Sequence, residues 1–91
     1  MSAVEIEDAL LSHPDVREAA VVAAPDPLRG QIPKAYVVAE RVGPAFAREL
    51  AEWVGARLSQ HEYPRAVEFV EELPKTPAGK TDRRLLRERG A

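Results

Sequence analysis

A lysine that directly follows a glycine in a proline-rich stretch is the residue of this sequence best suited to chemistry. Residues 73–82 read Leu-Pro-Lys-Thr-Pro-Ala-Gly-Lys-Thr-Asp, and the two prolines and the glycine predict a loop. Gly79 has no side chain, so a ligand can approach the backbone closely. Lys80 adds a strongly hydrated positive charge on a flexible stem, and Thr76 and Thr81 add hydroxyl groups nearby. This combination predicts a loop that handles a phosphate or carboxylate oxygen.

The same stretch does not have the pattern of a P-loop. A P-loop has two glycines separated by four residues and then Lys and Ser or Thr, and Lys75 stands where the first glycine is needed. The Gly-Lys-Thr tripeptide by itself is common. A solvated surface lysine is therefore the alternative interpretation of Lys80 at this point.

Composition and charge exclude several classes of function. The formal charge of −2 indicates no overall basic field for nucleic acid or a membrane surface. The chain has no cysteine, no apolar run near the roughly 20 residues of a membrane span, and no signal-peptide pattern in residues 1–12. Neither histidine lies in a metal-ligand pattern, so we expect no metal site. We expect a cytoplasmic protein without nucleic-acid or membrane partners.

The C-terminal end is more basic than the rest of the chain. Between residues 75 and 89, two acidic residues, Asp82 and Glu88, accompany six basic residues. An anionic ligand or a solvated helix face would account for it equally well. The basic residues are Lys75, Lys80, Arg83, Arg84, Arg87 and Arg89.

Capping signals, periodicity and prolines predict six elements. A first helix starts at Ser2 and ends before Pro14, and a second starts at Gly43-Pro44 and is ended by Tyr63-Pro64. Strands are predicted over residues 16–24, 35–39 and 66–70, with a loop over residues 25–33. A short last helix is capped by Thr81 or Asp82. The predicted fold is an α+β domain, a small three-stranded sheet flanked by helices.

The length of 91 residues limits what this domain can do alone. A chain of this size forms one domain and buries only about 60–65% of its unfolded surface. It can therefore build one core, but not also a deep substrate cleft. We expect a single domain over residues 1–91 that is not active by itself.

Two long segments of the chain resemble one enzyme superfamily. The run Tyr63-Pro64-Arg65-Ala66-Val67-Glu68-Phe69-Val70 to Leu73-Pro74-Lys75-Thr76-Pro77-Ala78-Gly79-Lys80 is similar to the ending of the adenylate-forming superfamily of acyl-CoA synthetases, luciferases and peptide-synthetase adenylation domains. The upstream segments Val4-Glu5-Ile6-Glu7, His13-Pro14-Asp15-Val16, Glu18-Ala19-Ala20-Val21-Val22 and Lys34-Ala35-Tyr36-Val37-Val38 follow that superfamily's order. The resemblance covers nearly the whole chain and is strongest to short- and medium-chain acyl-CoA ligases.

This resemblance implies a mobile C-terminal lid whose hinge and large N-terminal adenylation domain lie before residue 1. Such ligases of fatty acid metabolism activate a carboxylate with ATP to an acyl-AMP and then transfer the acyl group to CoA. Lys80 matches the catalytic lysine of the first step, and Arg29, Tyr63 and Arg65 match positions that contact CoA. Mg²⁺ is expected with ATP, on the large domain.

Two other functions fit the same resemblance. In this superfamily the lysine that matches Lys80 is a target of protein acetyltransferases, so the chain would serve as an interaction or lysine-acylation domain. Alternatively, the run Gly79-Lys80-Thr81-Asp82-Arg83 is similar to peptide synthetases, which implies the lid of an adenylation domain that loads a carrier protein.

Overall fold

The structure, a computed structural model, describes residues 3–58 and 66–89 of the chain. Within these ranges three helices and three strands follow one another in the predicted order, which confirms the α+β class. The elements are α1 (Ala3–Leu11), β1 (Val16–Asp26), β2 (Gly30–Ala39), α2 (Pro44–Arg57), β3 (Ala66–Phe69) and α3 (Arg83–Arg89).

The three strands form one sheet in the order β1-β2-β3. β1 and β2 are antiparallel, and their pairing runs from Val16 opposite Ala39 to Asp26 opposite Gly30. β3 is parallel to β2, with Lys34 opposite Ala66. A parallel pair needs a long crossover, and α2 lies in this connection. β2 is therefore the central strand, and β1 leaves one edge open to other contacts.

The predicted loop over residues 25–33 is wrong, because both strands extend into this range. β1 continues through Pro25, β2 includes Pro33, and only residues 27–29 connect the two strands. Proline is tolerated in a strand where its missing N–H would not face a partner strand. Pro25 stands four residues after Val21 on β1, and the Val21 N–H faces away from β2. Pro33 on β2 lies opposite Ala23, two residues after Val21, where the paired backbone N–H groups also face away from each other.

The two faces of the sheet are covered by different parts of the chain. One face packs against α1 and α2, because side chains at every second strand position are apolar on that side. The opposite face packs against the segment before α3 and against α3 itself. The buried residues of the first layer are Ile6, Ala9, Leu10, Val16, Val21, Ala35, Val37, Phe46, Leu50 and Val54; those of the second are Ala20, Val22, Tyr36, Leu73 and Leu86.

Prolines and glycines predicted the end of α1 and the start of α2 correctly, but not the end of α2. α1 ends before Pro14, and Pro44 occupies the first turn of α2, where it loses no helical hydrogen bond. α2 ends at Arg57, because Leu58 has non-helical φ and ψ of −107° and −104°. The prediction that α2 continues to Tyr63-Pro64 is therefore wrong, and Tyr63-Pro64 and the capping residue Ser2 lie outside the described residues.

Candidate functional site

Lys80 lies at the end of a tight turn that projects between two anchored segments. Lys75 and Thr81 form an isolated antiparallel bridge, and we call residues 75–81 the Lys80 hairpin. Within it the Gly79 N–H donates to the Thr76 carbonyl at 2.8 Å, and the Thr76 N–H donates to the Lys80 carbonyl at 2.7 Å. A turn followed by a residue in the left-handed region is a common short hairpin connection. Gly79, with φ 85°, supplies that residue.

The Lys80 side chain is exposed, and its ammonium group forms no ion pair or hydrogen bond with the described residues. Its backbone is held instead, because the Lys80 N–H donates to the Thr76 hydroxyl at 3.3 Å. The cation therefore extends from a fixed base into the surroundings of the domain. The ammonium group is therefore exposed and unpaired within the described residues.

The segments on both sides of the Lys80 hairpin are fixed to the sheet. Leu73 is 3% exposed and Leu86 is fully buried, and both pack in the second core layer with Tyr36. The Tyr36 hydroxyl donates to the Leu86 carbonyl at 3.2 Å. These contacts leave the turn itself, and not its flanks, outside the body of the domain.

Asp82 is the residue that caps α3, which decides between the two predicted caps. The Leu85 N–H donates to the Asp82 carboxylate at 3.1 Å, as expected for an N-cap side chain. The Asp82 N–H donates to the Pro74 carbonyl at 2.7 Å, which closes the base of the Lys80 hairpin. The chain therefore passes from the hairpin into α3 without a free linker.

An ion pair that the sequence analysis missed joins the start of α3 to α1. Arg83, the first residue of α3, donates to both oxygens of the Glu7 carboxylate, with one distance of 2.6 Å, and also to the Val21 carbonyl at 3.2 Å. The hydrogen bonds that Arg83 donates to Glu7 raise the pKa of Arg83 above its ordinary value, against the effect of burial. The sequence feature that could have indicated this contact is Glu7, an acidic residue beside Ile6 on the apolar face of α1.

Two further lysines near the site have carboxylate partners. The Lys75 ammonium lies 2.6 Å from the Glu18 carboxylate, and the Lys34 ammonium lies 3.2 Å from that of Glu68 and 4.9 Å from the centre of the Tyr36 ring. Burial lowers the pKa of Lys34, but the hydrogen bonds with Glu68 and Tyr36 raise it more. These two lysines differ from Lys80 in being engaged within the domain.

Arg29 lies in the short connection between β1 and β2. The Asp26 carboxylate accepts the Leu28 N–H at 3.1 Å and the Arg29 N–H at 2.8 Å, and Gly30 follows with φ 80°. The Arg29 side chain is exposed, and its neighbour Leu28 is 94% exposed. The turn thus presents a guanidinium group on a fixed backbone.

The structure does not bring Arg29 and the base of the Lys80 hairpin together. Lys75 is held by Glu18, which lies eight residues before Asp26 on β1. At about 3.3 Å per strand residue, this separation is roughly 25 Å. Tyr63 and Arg65, the other two residues predicted to contact CoA, lie outside the described residues.

The described residues give no indication of a metal centre or a membrane span. Among residues 3–58 and 66–89, no group of three or more His, Cys, Asp or Glu side chains is arranged to hold a metal ion. In the same ranges no helix has both the length and the apolarity to cross a bilayer, and α2, with 14 residues, is the longest of them.

Residues 5–80 match the family model described as the AMP-binding enzyme C-terminal domain. The chain belongs to this family. The match ends on Lys80, so it includes the Lys80 hairpin up to the lysine itself. It confirms the superfamily that the sequence motifs resemble.

Individual relatives of this family member are acyl-CoA synthetases or related ligases. The mouse mitochondrial acyl-coenzyme A synthetase ACSM3 is 42% identical over 93% of the chain and 16% of its own length. The crystal structure of Brucella canis acyl-CoA synthetase superposes with a TM-score of 0.93 at 49% identity, over 99% of this chain and 17% of that one. The amide bond synthetase McbA of Marinactinospora thermotolerans gives a TM-score of 0.87 at 40% identity, over 97% and 18%. The chain thus spans about one sixth of the length of these proteins.

Proposed function

We propose that this chain is the mobile C-terminal domain of an AMP-forming acyl-CoA synthetase, an acid–thiol ligase, and that it delivers Lys80 to an active site on a large N-terminal domain. The observation that supports this most directly is the Lys80 hairpin. Its base is fixed to the core, while its terminal ammonium group has no partner among the described residues. A cation held in this way stabilises charge that a second domain brings to it.

The chemical role of Lys80 in this proposal is electrostatic. A carboxylate oxygen of the acyl substrate attacks the α-phosphorus of ATP, the new P–O bond forms, and the bond to pyrophosphate breaks. The substrate carboxylate is already ionised at neutral pH, so no base is required. Negative charge builds on the oxygens around the α-phosphorus, and an ammonium group placed against them lowers the barrier.

The second half-reaction would use the other end of the domain. Arg29 on the connection between β1 and β2 suits a phosphate of CoA, because its guanidinium group forms paired hydrogen bonds. Tyr63 and Arg65 are proposed for the same site on the sequence resemblance alone. The separation of roughly 25 Å between Glu18 and Asp26 along β1 fits a domain that presents different surfaces to the two reactions.

The substrates and partners of the whole enzyme belong to the same proposal. ATP, the acyl-AMP and CoA would bind mainly to the large N-terminal domain, together with Mg²⁺. An apolar groove of about 320 Å³ between α1 and the β1–β2 hairpin has no charged residue in its lining, so it does not suit a nucleotide. The cytoplasmic location stays a prediction, and the mouse relative is named as mitochondrial.

The test of this proposal separates the two half-reactions in the intact enzyme, that is, this chain joined to its large domain. Lys80→Ala should lower the rate of acyl-AMP formation from ATP and octanoate by about 10²–10³-fold. Thioester formation from supplied octanoyl-AMP and CoA should be nearly unchanged. Arg87→Ala, which removes an exposed charge from α3, should leave both rates unchanged. An equal loss in both steps for Lys80→Ala would refute the assigned role.

A different acyl acceptor is the second candidate, because the McbA relative is named as an amide bond synthetase. The same C-terminal fold therefore occurs in enzymes that are named for different acyl acceptors. Offering CoA, a phosphopantetheinyl carrier protein and an amine separately to the adenylated enzyme would decide between them. A product with CoA supports the leading proposal, and a product only with the carrier or the amine replaces it.

Acetylation of Lys80 would act on the same cation. The side chain is exposed and lies on a projecting turn, so a protein acetyltransferase can reach it. Acetylation removes the positive charge, and the adenylation step should be lost with it. Intact-mass analysis and the half-reaction assay on the same acetylated sample would show whether modification and inhibition rise together.

A further inference from the structure

The ion pair between Glu7 and Arg83 closes the open edge of β1 at one residue. The Val21 N–H donates to the Glu7 carboxylate at 2.8 Å, and the Val21 carbonyl accepts from the Arg83 guanidinium group at 3.2 Å. Both backbone groups of Val21 face away from β2, on the edge where none of the strands in residues 3–58 and 66–89 pairs with them. The two side chains therefore occupy the place of a partner strand and are joined to each other by a two-pronged contact.

This contact is better shielded from water than the other ion pairs of the site. The Glu7 side chain is 10% exposed, and that of Arg83 is 40% exposed. In contrast, both side chains of the pair between Lys75 and Glu18 are more than 40% exposed. Exposed ion pairs contribute little to positioning, because water and salt screen them. The Glu7–Arg83 pair is therefore the stronger polar tether near the Lys80 hairpin.

Only two residues separate this tether from Lys80. Thr81 is paired with Lys75, and Asp82 is hydrogen-bonded to Pro74, so neither can absorb a movement of Arg83. Arg83 is also the first residue of α3, which fixes the direction in which the chain leaves the hairpin. A displacement of α3 is passed directly to the lysine.

We propose that Glu7 and Arg83 are positioning residues for Lys80, which hold the hairpin at the angle that adenylation requires. This inference rests on the proposed function of Lys80. It goes beyond that function because it assigns a catalytic consequence to two residues that do not touch the substrate. It also makes a distinct prediction: their loss impairs the half-reaction that uses Lys80 and spares the other one.

The experiment compares the two half-reactions in Arg83→Met and Glu7→Gln variants of the intact enzyme. Adenylation of octanoate should fall about tenfold or more, because a displacement near 1 Å can cost that much in rate. Thioester formation from octanoyl-AMP and CoA should stay within about twofold. The double variant should be no slower than the slower single variant, since both changes remove one contact. Arg83→Lys keeps the charge without the paired geometry and should recover part of the adenylation rate.

The matched control is Arg84→Met, the same change one residue further along α3. The Arg84 side chain is 84% exposed, and among the described residues its ion-pair partner is Glu88 on its own helix, so both rates should be unchanged. The measured quantity is the ratio of the adenylation rate to the rate of thioester formation. Within one preparation this ratio does not depend on how much of the protein is folded. A variant that folds poorly therefore still gives a decisive ratio.

Each outcome decides the matter. A low ratio in the Arg83 and Glu7 variants, with a normal ratio in Arg84→Met, supports the inference. A normal ratio in the Arg83 and Glu7 variants overturns the inference, whether their two rates are unchanged or equally reduced. The ion pair would then be a purely structural contact. Lys80→Ala is measured in parallel. A low ratio for Lys80→Ala with normal ratios for the Arg83 and Glu7 variants rejects this inference alone. A normal ratio for Lys80→Ala rejects the proposed function as well.

Discussion

At the residue scale, Gly79 shows how backbone conformation sets the position of Lys80. Its φ of 85° lies in the left-handed region, and a Cβ placed on it would meet no atom within 4 Å. A side chain there is therefore disfavoured by the backbone alone, and not by crowding. We expect Gly79→Ala to lower the free energy of unfolding of the chain by about 1–2 kcal/mol, as measured by urea denaturation.

Gly55 provides a control with the opposite expectation. It lies inside α2, its φ is ordinary, and a Cβ there also meets no atom within 4 Å. Gly55→Ala should therefore raise the free energy of unfolding by about 0.5–1 kcal/mol, because alanine favours the helix. If both substitutions shifted stability in the same direction, the strained turn at Gly79 would be the wrong explanation.

Arg29 carries a second prediction at the residue scale. Its backbone is fixed by Asp26 while its side chain is exposed, so its replacement should not disturb the fold. In the intact enzyme, Arg29→Ala should raise the KM for CoA about tenfold or more, since a hydrogen bond to a charged group contributes about 1.5–3 kcal/mol. Arg65→Ala is expected to act in the same way. Leu28→Ala, at the 94% exposed neighbour, is the control, and an unchanged KM for Arg29→Ala would remove this residue from the CoA site.

The loop that carries Lys80 was predictable because its signals are local. A glycine before a lysine, prolines on both sides and a helix cap all lie within ten residues. The tether between Glu7 and Arg83 was missed because its members are 76 residues apart and meet only across the edge of β1. A charged residue beside an apolar helix face indicates a partner but does not say which one.

At the element scale, the strand limits were the weakest part of the prediction. Pro25 and Pro33 were interpreted as loop residues, although proline is excluded from a strand only where its N–H would face a partner. That direction depends on the register of β1 on β2, which the sequence does not reveal. The order and type of the elements were predictable, since apolar periodicity is preserved on each of them.

The junction between α1 and α2 depends on one buried histidine. His13 is 4% exposed, and its Nδ1 accepts the Asp15 N–H at 3.1 Å, so its Nε2 carries the proton and donates to the Glu49 carboxylate at 2.7 Å. Arg41 contacts the same carboxylate at 3.0 Å. The hydrogen bond from His13, followed by that from Arg41, lowers the pKa of Glu49 below its ordinary value of 4.5.

A lowered pKa gives a definite sign to the pH dependence. The stabilisation by Glu49 is fully present above its ordinary pKa and is lost as the pH falls through the lower pKa of the folded state. We therefore expect Glu49→Gln to lower the Tm at pH 7 by a few degrees, and expect the difference from the unmodified chain to disappear in strong acid. Glu52→Gln, at an exposed position on the same helix, should show little difference at either pH. A Glu49→Gln difference that persisted in strong acid would contradict this assignment.

At the scale of the whole molecule, the chain has a core but no enclosed polar site among its described residues. Its two apolar layers are used to hold the sheet between helices, and the groove beside α1 is apolar. The residues proposed for chemistry, Lys80 and Arg29, both lie on exposed turns at separate parts of the surface. Such a molecule is suited to complete a site that is built mostly by another domain.

The isolated chain should therefore fold but not catalyse. We expect cooperative thermal unfolding by circular dichroism, because both core layers are formed within these residues. We expect no exchange of pyrophosphate into ATP with octanoate, since the chain offers Lys80 without a pocket that holds the nucleotide against it. The intact enzyme, assayed at the same concentration, is the positive control. Exchange by the isolated chain that persisted after Lys80→Ala would mean that the nucleotide is activated elsewhere on this surface. The delivery of a cation to a second domain would then be the wrong description of what the Lys80 hairpin does.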